Sequence, residues 1–201
     1  MEGHDHGLQK HILYIPGTSG LEDMNRIQQL GRKAEHAGFN FSFLQTWSSA
    51  ADLQSKTLHQ IVESLDNAIA SLHTGELYVV AKSFGAGIML LHTWPRISKM
   101  VLWAPAVELA DKNSFDAIKQ SELKDLTFAD ITTDEETLSQ IKTEILILRG
   151  TEDDVVPLAP LQLITKNLSR GQLKELPGMG HSPKTEQELD LLIENSIQFL
   201  K

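Results

Sequence analysis

The chain has 201 residues, 41% hydrophobic and 22% charged, with a formal charge of −9 and no cysteine. That length suits a single domain, 1–201, with a sizeable core. The acidic balance without any basic stripe argues against a nucleic-acid binder and disfavours an anionic membrane surface, and the missing thiols exclude disulfides, thiolate metal sites and a cysteine nucleophile.

From the amino end, Met1–Gly7 is polar and acidic and lacks the charged-then-apolar pattern of a secretory leader. No window approaches the ~18 continuous apolar residues of a membrane span. The chain therefore reads as cytoplasmic, with no membrane partner. His4 and His6 read as a polar terminus rather than a metal site, and no cofactor or metal is expected.

His11–Ile15 is a short apolar run ended by Pro16-Gly17-Thr18-Ser19-Gly20, a strand followed by a glycine-rich turn. Asp23 can cap a helix from about Met24 to Ala37, with Ile27, Leu30 and Ala34 on one face and Gly38 as its stop. Phe39–Leu44 reads as a second strand. Ser55 to Leu72 reads as a second helix, with Leu58, Ile61, Val62, Leu65, Ile69 and Leu72 at helical spacing. Leu77 to Val80 is β-branched and aromatic, a buried strand, and Ala86 to Trp94 is apolar and helix-compatible up to Pro95.

Ser98 to Trp103 is a fourth strand. The stretch from Val107 to Lys142 is mixed and predicts short helices in a small cap-like insertion. Glu144–Arg149 is a fifth strand, Pro160 to Leu168 a helix, Leu173 to Leu176 a sixth strand and Gln187 to Leu200 a final amphipathic helix. Strands alternating with helices predict an α/β fold, a doubly wound, mostly parallel six-stranded sheet with helices on both faces.

Ligands of an open parallel sheet bind outside the carboxyl ends of the strands, so the loops that follow the strands carry the information. Ala81-Lys82-Ser83-Phe84-Gly85 has the small-x-Ser-x-Gly form of a strand–nucleophile–helix turn, with Ala81 where glycine is usual. The fifth strand is followed by Gly150-Thr151-Glu152-Asp153-Asp154-Val155-Val156-Pro157, and the sixth by Pro177-Gly178-Met179-Gly180-His181-Ser182. A serine hydroxyl needs a base to become a nucleophile. A histidine supplies that base, and a carboxylate fixes its tautomer. Taken alone, Ser83 would be an ordinary helix cap and His181 a loop histidine; their order and placement favour chemistry.

In these residues the sequence resembles the α/β-hydrolase superfamily, from about His11 to Lys201. The elbow, the Gly150-x-x-Asp153-x-x-Val156-Pro157 loop and the Gly178-x-Gly180-His181 loop fall in the family order. The resemblance implies Ser83 as nucleophile, His181 as base and Asp153 as acid, with Asp154 the neighbouring alternative. It implies a compact member lacking the leading antiparallel strands, with strand order 2-1-3-4-5-6. It also implies an oxyanion hole made by the backbone N–H of Phe84 and, from the loop after the first strand, that of Thr18, with Ser19 the alternative donor.

Ser19, Trp47 and Trp103, near strand ends, are candidates for a substrate pocket. The expected activity is hydrolysis of a small carboxylic ester or thioester through an acyl-enzyme. The rival reading is a non-catalytic ligand-binding protein on the same fold, resting on Ala81. A nucleotide site is a weaker third, because Gly17–Gly20 lacks the glycine-rich phosphate-binding patterns. The oligomeric state is not legible in the sequence.

Overall fold

The structure is a computed structural model that describes residues 9–20, 24–72, 75–109 and 131–201. His4, His6, Asp23 and most of the 107–142 segment lie outside these residues.

Six strands form one parallel sheet in the order β2-β1-β3-β4-β7-β8. They are β1 (Lys10–Ile15), β2 (Asn40–Phe43), β3 (Glu76–Lys82), β4 (Ile97–Trp103), β7 (Glu144–Gly150) and β8 (Gly171–Leu176). This is the expected order, with two additional short strands, β5 (Glu108–Leu109) and β6 (Thr132–Thr133), paired with each other apart from the sheet.

Period-two alternation sorts the strand side chains into two cores. Leu13, Ile15, Val79, Ala81, Met100, Leu102, Ile145 and Ile147 face one way; Ile12, Tyr14, Tyr78, Val80, Val101, Trp103, Leu146 and Leu148 face the other. The second face is covered by α1 (Met24–His36) through Ile27, Leu30 and Ala34, and by α7 (Glu186–Leu200) through Leu189, Leu192, Ile193, Ile197 and Leu200. The first is covered by α2 (Ala50–Gln54), α3 (Leu58–Ser71), α4 (Ser83–Ile88), α5 (Glu135–Gln140) and α6 (Leu158–Asn167). The inner strands β1, β3, β4 and β7 are buried on both faces over most of their length and read as apolar runs, whereas the edge strands β2 and β8 are mixed. Among the described residues no helix is long and apolar enough to cross a membrane.

Two helices differ from expectation. The helix expected over Ser55–Leu72 begins later, at Leu58 with Thr57 as its cap, and a short helix that was not expected, α2, precedes it. The Thr57 hydroxyl accepts the Gln60 N–H and the Gln60 side chain accepts the Thr57 N–H, a complete capping box. The elbow helix ends at Ile88 rather than Trp94. Beyond it, Leu90 and Leu91 donate to the carbonyls of Gly87 and Ile88 in tight turns, the Trp94 indole donates to the Met89 carbonyl and the Thr133 hydroxyl donates to the Leu90 carbonyl. These partners satisfy the carbonyls that further helix would have used.

The registers Ile15↔Ala81, Lys82↔Trp103 and Gly150↔Leu176 align the carboxyl ends of the strands. The loops after β1, β3, β4, β7 and β8 therefore emerge along one edge. Removing the cap that divides α2 from α3, with Thr57→Ala, should lower the unfolding free energy by about 1 kcal/mol in urea titration.

Candidate active site

Three loops at that edge converge. The chain turns sharply at Ser83, whose φ of 49° lies in the left-handed region that costs a non-glycine residue energy. The turn brings the start of α4 against the loop after β1. A Cβ on Gly85 would sit 2.3 Å from the Pro16 carbonyl oxygen, so only glycine fits there. The Ser83 carbonyl accepts the Ala106 N–H at 3.0 Å, a tether from the loop after β4. Ala81, the departure from the usual glycine, is fully buried in the core, and the turn forms beside it.

The Ser83 Oγ lies 3.1 Å from Nε2 of His181, and Nδ1 of His181 lies 3.0 Å from Oδ2 of Asp153. The Asp153 carboxylate has no solvent exposure, and His181 is 19% exposed. Oδ1 of Asp153 accepts the N–H groups of Val155 and Val156 at 2.9 and 2.8 Å. Burial pushes the Asp153 carboxyl up; hydrogen bonds from His181, Val156 and Val155, with the charge of His181, outweigh it and hold the group below its ordinary range. An ionised carboxylate only accepts, so the facing Nδ1 carries the proton. In the neutral ring Nε2 is then the acceptor, and the Ser83 hydroxyl donates to it. Asp154, the neighbouring alternative, is exposed.

The acid and histidine loops are joined along their backbones. Thr151 N–H donates to the Leu176 carbonyl, Glu152 N–H to that of Met179, and Gly178 N–H to the Thr151 hydroxyl. A Cβ on Gly150 would lie 2.0 Å from the Met179 carbonyl oxygen, so the two loops close only over glycine.

A residue not singled out from the sequence holds the acid loop from below. Arg149, 8% exposed, donates through Nε to the Val156 carbonyl at 2.9 Å and through Nη2 to the Asp153 carbonyl at 2.8 Å. Its Nη1 pairs with Glu175, its neighbour across the strands, at 2.9 Å. The guanidinium thus binds both ends of the turn whose N–H groups face the carboxylate. The signal for it was a lone cation closing the apolar run Glu144–Arg149: such a charge, on a strand buried on both sides, has to find acceptors.

Thr18 and Ser19 are half-buried in the turn after β1, closed by Gly20 N–H donating to the Gly17 carbonyl at 3.0 Å. Phe84 is the second residue of α4, within the first turn where backbone N–H groups have no partner in their own helix.

The two tryptophans, candidates for a substrate pocket, are both buried in the cores, on opposite faces of the sheet. Trp103 is on the opposite face of the sheet, against Tyr14, with its indole N–H on the Ser196 hydroxyl of α7 at 2.9 Å. Strand alternation sends it there, because its neighbour Leu102 faces the other core. Trp47 is fully buried against Phe84, with its indole N–H on the Gly17 carbonyl. Among the described residues, no group of three or more His, Asp or Glu side chains is placed to hold a metal ion.

No protein-family model matches the sequence, and comparison with curated protein sequences finds no match. Solved structures do match. One of the metagenome-derived lipolytic enzymes LipS and LipT superposes with a TM-score of 0.72 at 16% identity, covering 96% of this chain and 94% of that one. Est1E from Butyrivibrio proteoclasticus gives 0.70 at 15%, covering 96% and 87%, and has also been solved with ferulic acid bound. The monoacylglycerol lipase of Paleococcus ferrophilus gives 0.69 at 15%, covering 96% of each chain. With the strand order, these likenesses establish that the chain has the α/β-hydrolase fold.

Two outcomes follow for the acid loop. Arg149→Met leaves the Val156 and Asp153 carbonyls without their buried donor and should lower the unfolding free energy by about 2–4 kcal/mol in urea titration. The Asp153 carboxyl is depressed in the folded state, so its stabilisation is complete above the unfolded value of about 4 and fades as pH falls through the lower folded value. Asp153→Asn should therefore flatten the acid limb of stability against pH, measured by melts from about pH 7 down to about pH 3.

Proposed function

We propose that the chain is a serine hydrolase acting on a small carboxylic ester or thioester, with Ser83, His181 and Asp153 as its catalytic residues. The observation that carries this reading is the continuous relay of hydrogen bonds from the Ser83 hydroxyl to His181 and on to Asp153, set at a strained strand-to-helix turn. The esterase and lipase neighbours on the same fold support it.

In this mechanism the Ser83 Oγ attacks the acyl carbon while its proton passes to Nε2 of His181. Asp153 holds the ring and stabilises the imidazolium. The carbonyl oxygen becomes an oxyanion, which the N–H groups of Phe84 and Thr18 receive, with the positive end of α4 behind Phe84. The imidazolium then protonates the leaving alcohol or thiol. Water, deprotonated by His181, attacks the acyl-Ser83 ester, and the acid product leaves with Ser83 restored. The reading needs no metal or cofactor. Ser19, on the same turn as Thr18, faces the acyl or leaving group in this scheme.

The whole chain is read as one domain with 107–142 a small cap-like insertion. The parallel pairing of β5 with β6 and the Glu108 N–H to Ile131 carbonyl bond bring the two ends of the intervening segment together. The cysteine-free composition supports a reducing, cytoplasmic setting. The rival reading as a non-catalytic binder rested on Ala81, whose methyl is accommodated in the core, and no other observation favours it.

A fluorophosphonate probe should label Ser83 stoichiometrically, and Ser83→Ala should abolish turnover of a short-chain p-nitrophenyl ester. Asp153→Asn should lower kcat by about 10⁴ through the wrong imidazole tautomer. Absence of labelling with the fold intact, or a Ser83→Ala variant within a few-fold of wild type, would overturn the assignment.

A further inference from the structure

We infer that Trp47 is a positioning residue for the oxyanion hole, acting through the peptide that joins Gly17 to Thr18. The inference rests on the proposed roles of Ser83 and of the Thr18 and Phe84 N–H groups.

The Gly17 carbonyl and the Thr18 N–H belong to one planar trans peptide and point in opposite directions. Whatever fixes the carbonyl therefore aims the N–H. Two donors fix it: the Gly20 N–H at 3.0 Å and the Trp47 Nε1–H at 2.8 Å. The first closes a turn between near neighbours within one glycine-rich loop. The second comes from a side chain 30 residues away that has no solvent exposure, so it ties the loop to the core.

The same indole meets the Phe84 ring edge-on, with centroids 5.8 Å apart and an interplanar angle of 86°. One buried side chain thus touches Phe84 and the Gly17 carbonyl of the peptide that carries the Thr18 N–H. The peptide lies beside the nucleophile, since a Cβ on Gly17 would stand 3.3 Å from the Ser83 Cβ. Hydrogen bonds to a peptide carbonyl also polarise its N–H and strengthen it as a donor.

The effect belongs to the transition state. A ground-state carbonyl asks little of the Thr18 N–H; the oxyanion asks for a donor already aimed at it. Loss of the indole N–H should therefore lower kcat and leave KM almost unchanged. A phenylalanine could keep ring contact with Phe84 but has no donor.

The test uses the full chain as Trp47→Phe and with Trp47 replaced by β-(3-benzothienyl)alanine, which puts sulfur in place of the indole N–H at nearly the same size. Each is assayed for kcat and KM on p-nitrophenyl acetate and for inhibition by an aryl trifluoromethyl ketone. The Ser83 oxygen adds to the carbon of that ketone, the hydroxyl proton passes to His181, and the former carbonyl becomes a bound oxyanion. Expected is a fall in kcat of about tenfold to a hundredfold, below the loss of a whole donor. KM should stay within about twofold, and ketone affinity should weaken in step with kcat/KM.

Unchanged kcat and ketone affinity in the folded benzothienyl variant would overturn the inference. So would failure of that variant to fold, which would make the bond structural. If the wild type is not labelled by fluorophosphonate, or if Ser83→Ala stays active, it is the underlying hydrolase reading that fails. A labelled wild type with unaltered Trp47 variants removes only the role of Trp47.

Discussion

A carboxylate with no contact with water keeps its charge only if the protein supplies the hydrogen bonds that water would have made. Asp153 receives three, from the N–H groups of Val155 and Val156 and from His181. Much of the site follows from that requirement. The two backbone donors demand a tight turn immediately after Asp153, and the carbonyls of that turn point down onto Arg149. The acceptor-only carboxylate places the imidazole proton on Nδ1 and leaves the Nε2 lone pair for Ser83. The imidazole tautomer is thus set by the hydrogen bonds that a buried carboxylate demands.

The other half of the site depends on backbone crowding. A φ of 49° at Ser83 is unfavourable for a residue with a side chain, and it persists because its surroundings over-determine it. The Ala106 N–H holds the Ser83 carbonyl, and the missing side chain of Gly85 lets Pro16 approach the helix start. Ala104, next to the tether, also has a positive φ, 43°. Its N–H donates to the Leu148 carbonyl, so this second strained turn is anchored to the adjacent strand. Parallel strands ending in register put these turns and the acid and histidine loops within reach of one another, although Ser83 and His181 are 98 positions apart in sequence.

Local pattern and tertiary contact contributed differently. The four inner strands and the final helix were legible because strands buried on two faces are apolar runs and an amphipathic helix shows its period. The start of α3 was also written locally, in the capping pair Thr57 and Gln60, just inside the expected boundary at Ser55. The short elbow helix was not legible: its end depends on where Thr133 and the indole of Trp94 find carbonyls.

At the site, the sequence by itself determined which turns carry a serine, an acid and a histidine, and that all emerge on one edge. Turn chemistry and strand periodicity are properties of neighbouring residues, and parallel crossover connections leave little freedom of order. Only the tertiary structure brought the Asp153 carboxylate to His181 and left Asp154 exposed, sent Trp103 to the far side of the sheet, enclosed Trp47 against Gly17 and Phe84, and set Arg149 beneath the acid loop. Each of those outcomes turns on which way a side chain points and which distant backbone atom satisfies it. Partners such as Trp47 and Gly17, 30 positions apart, or Asp153 and His181, 28 apart, meet only when the sheet is assembled.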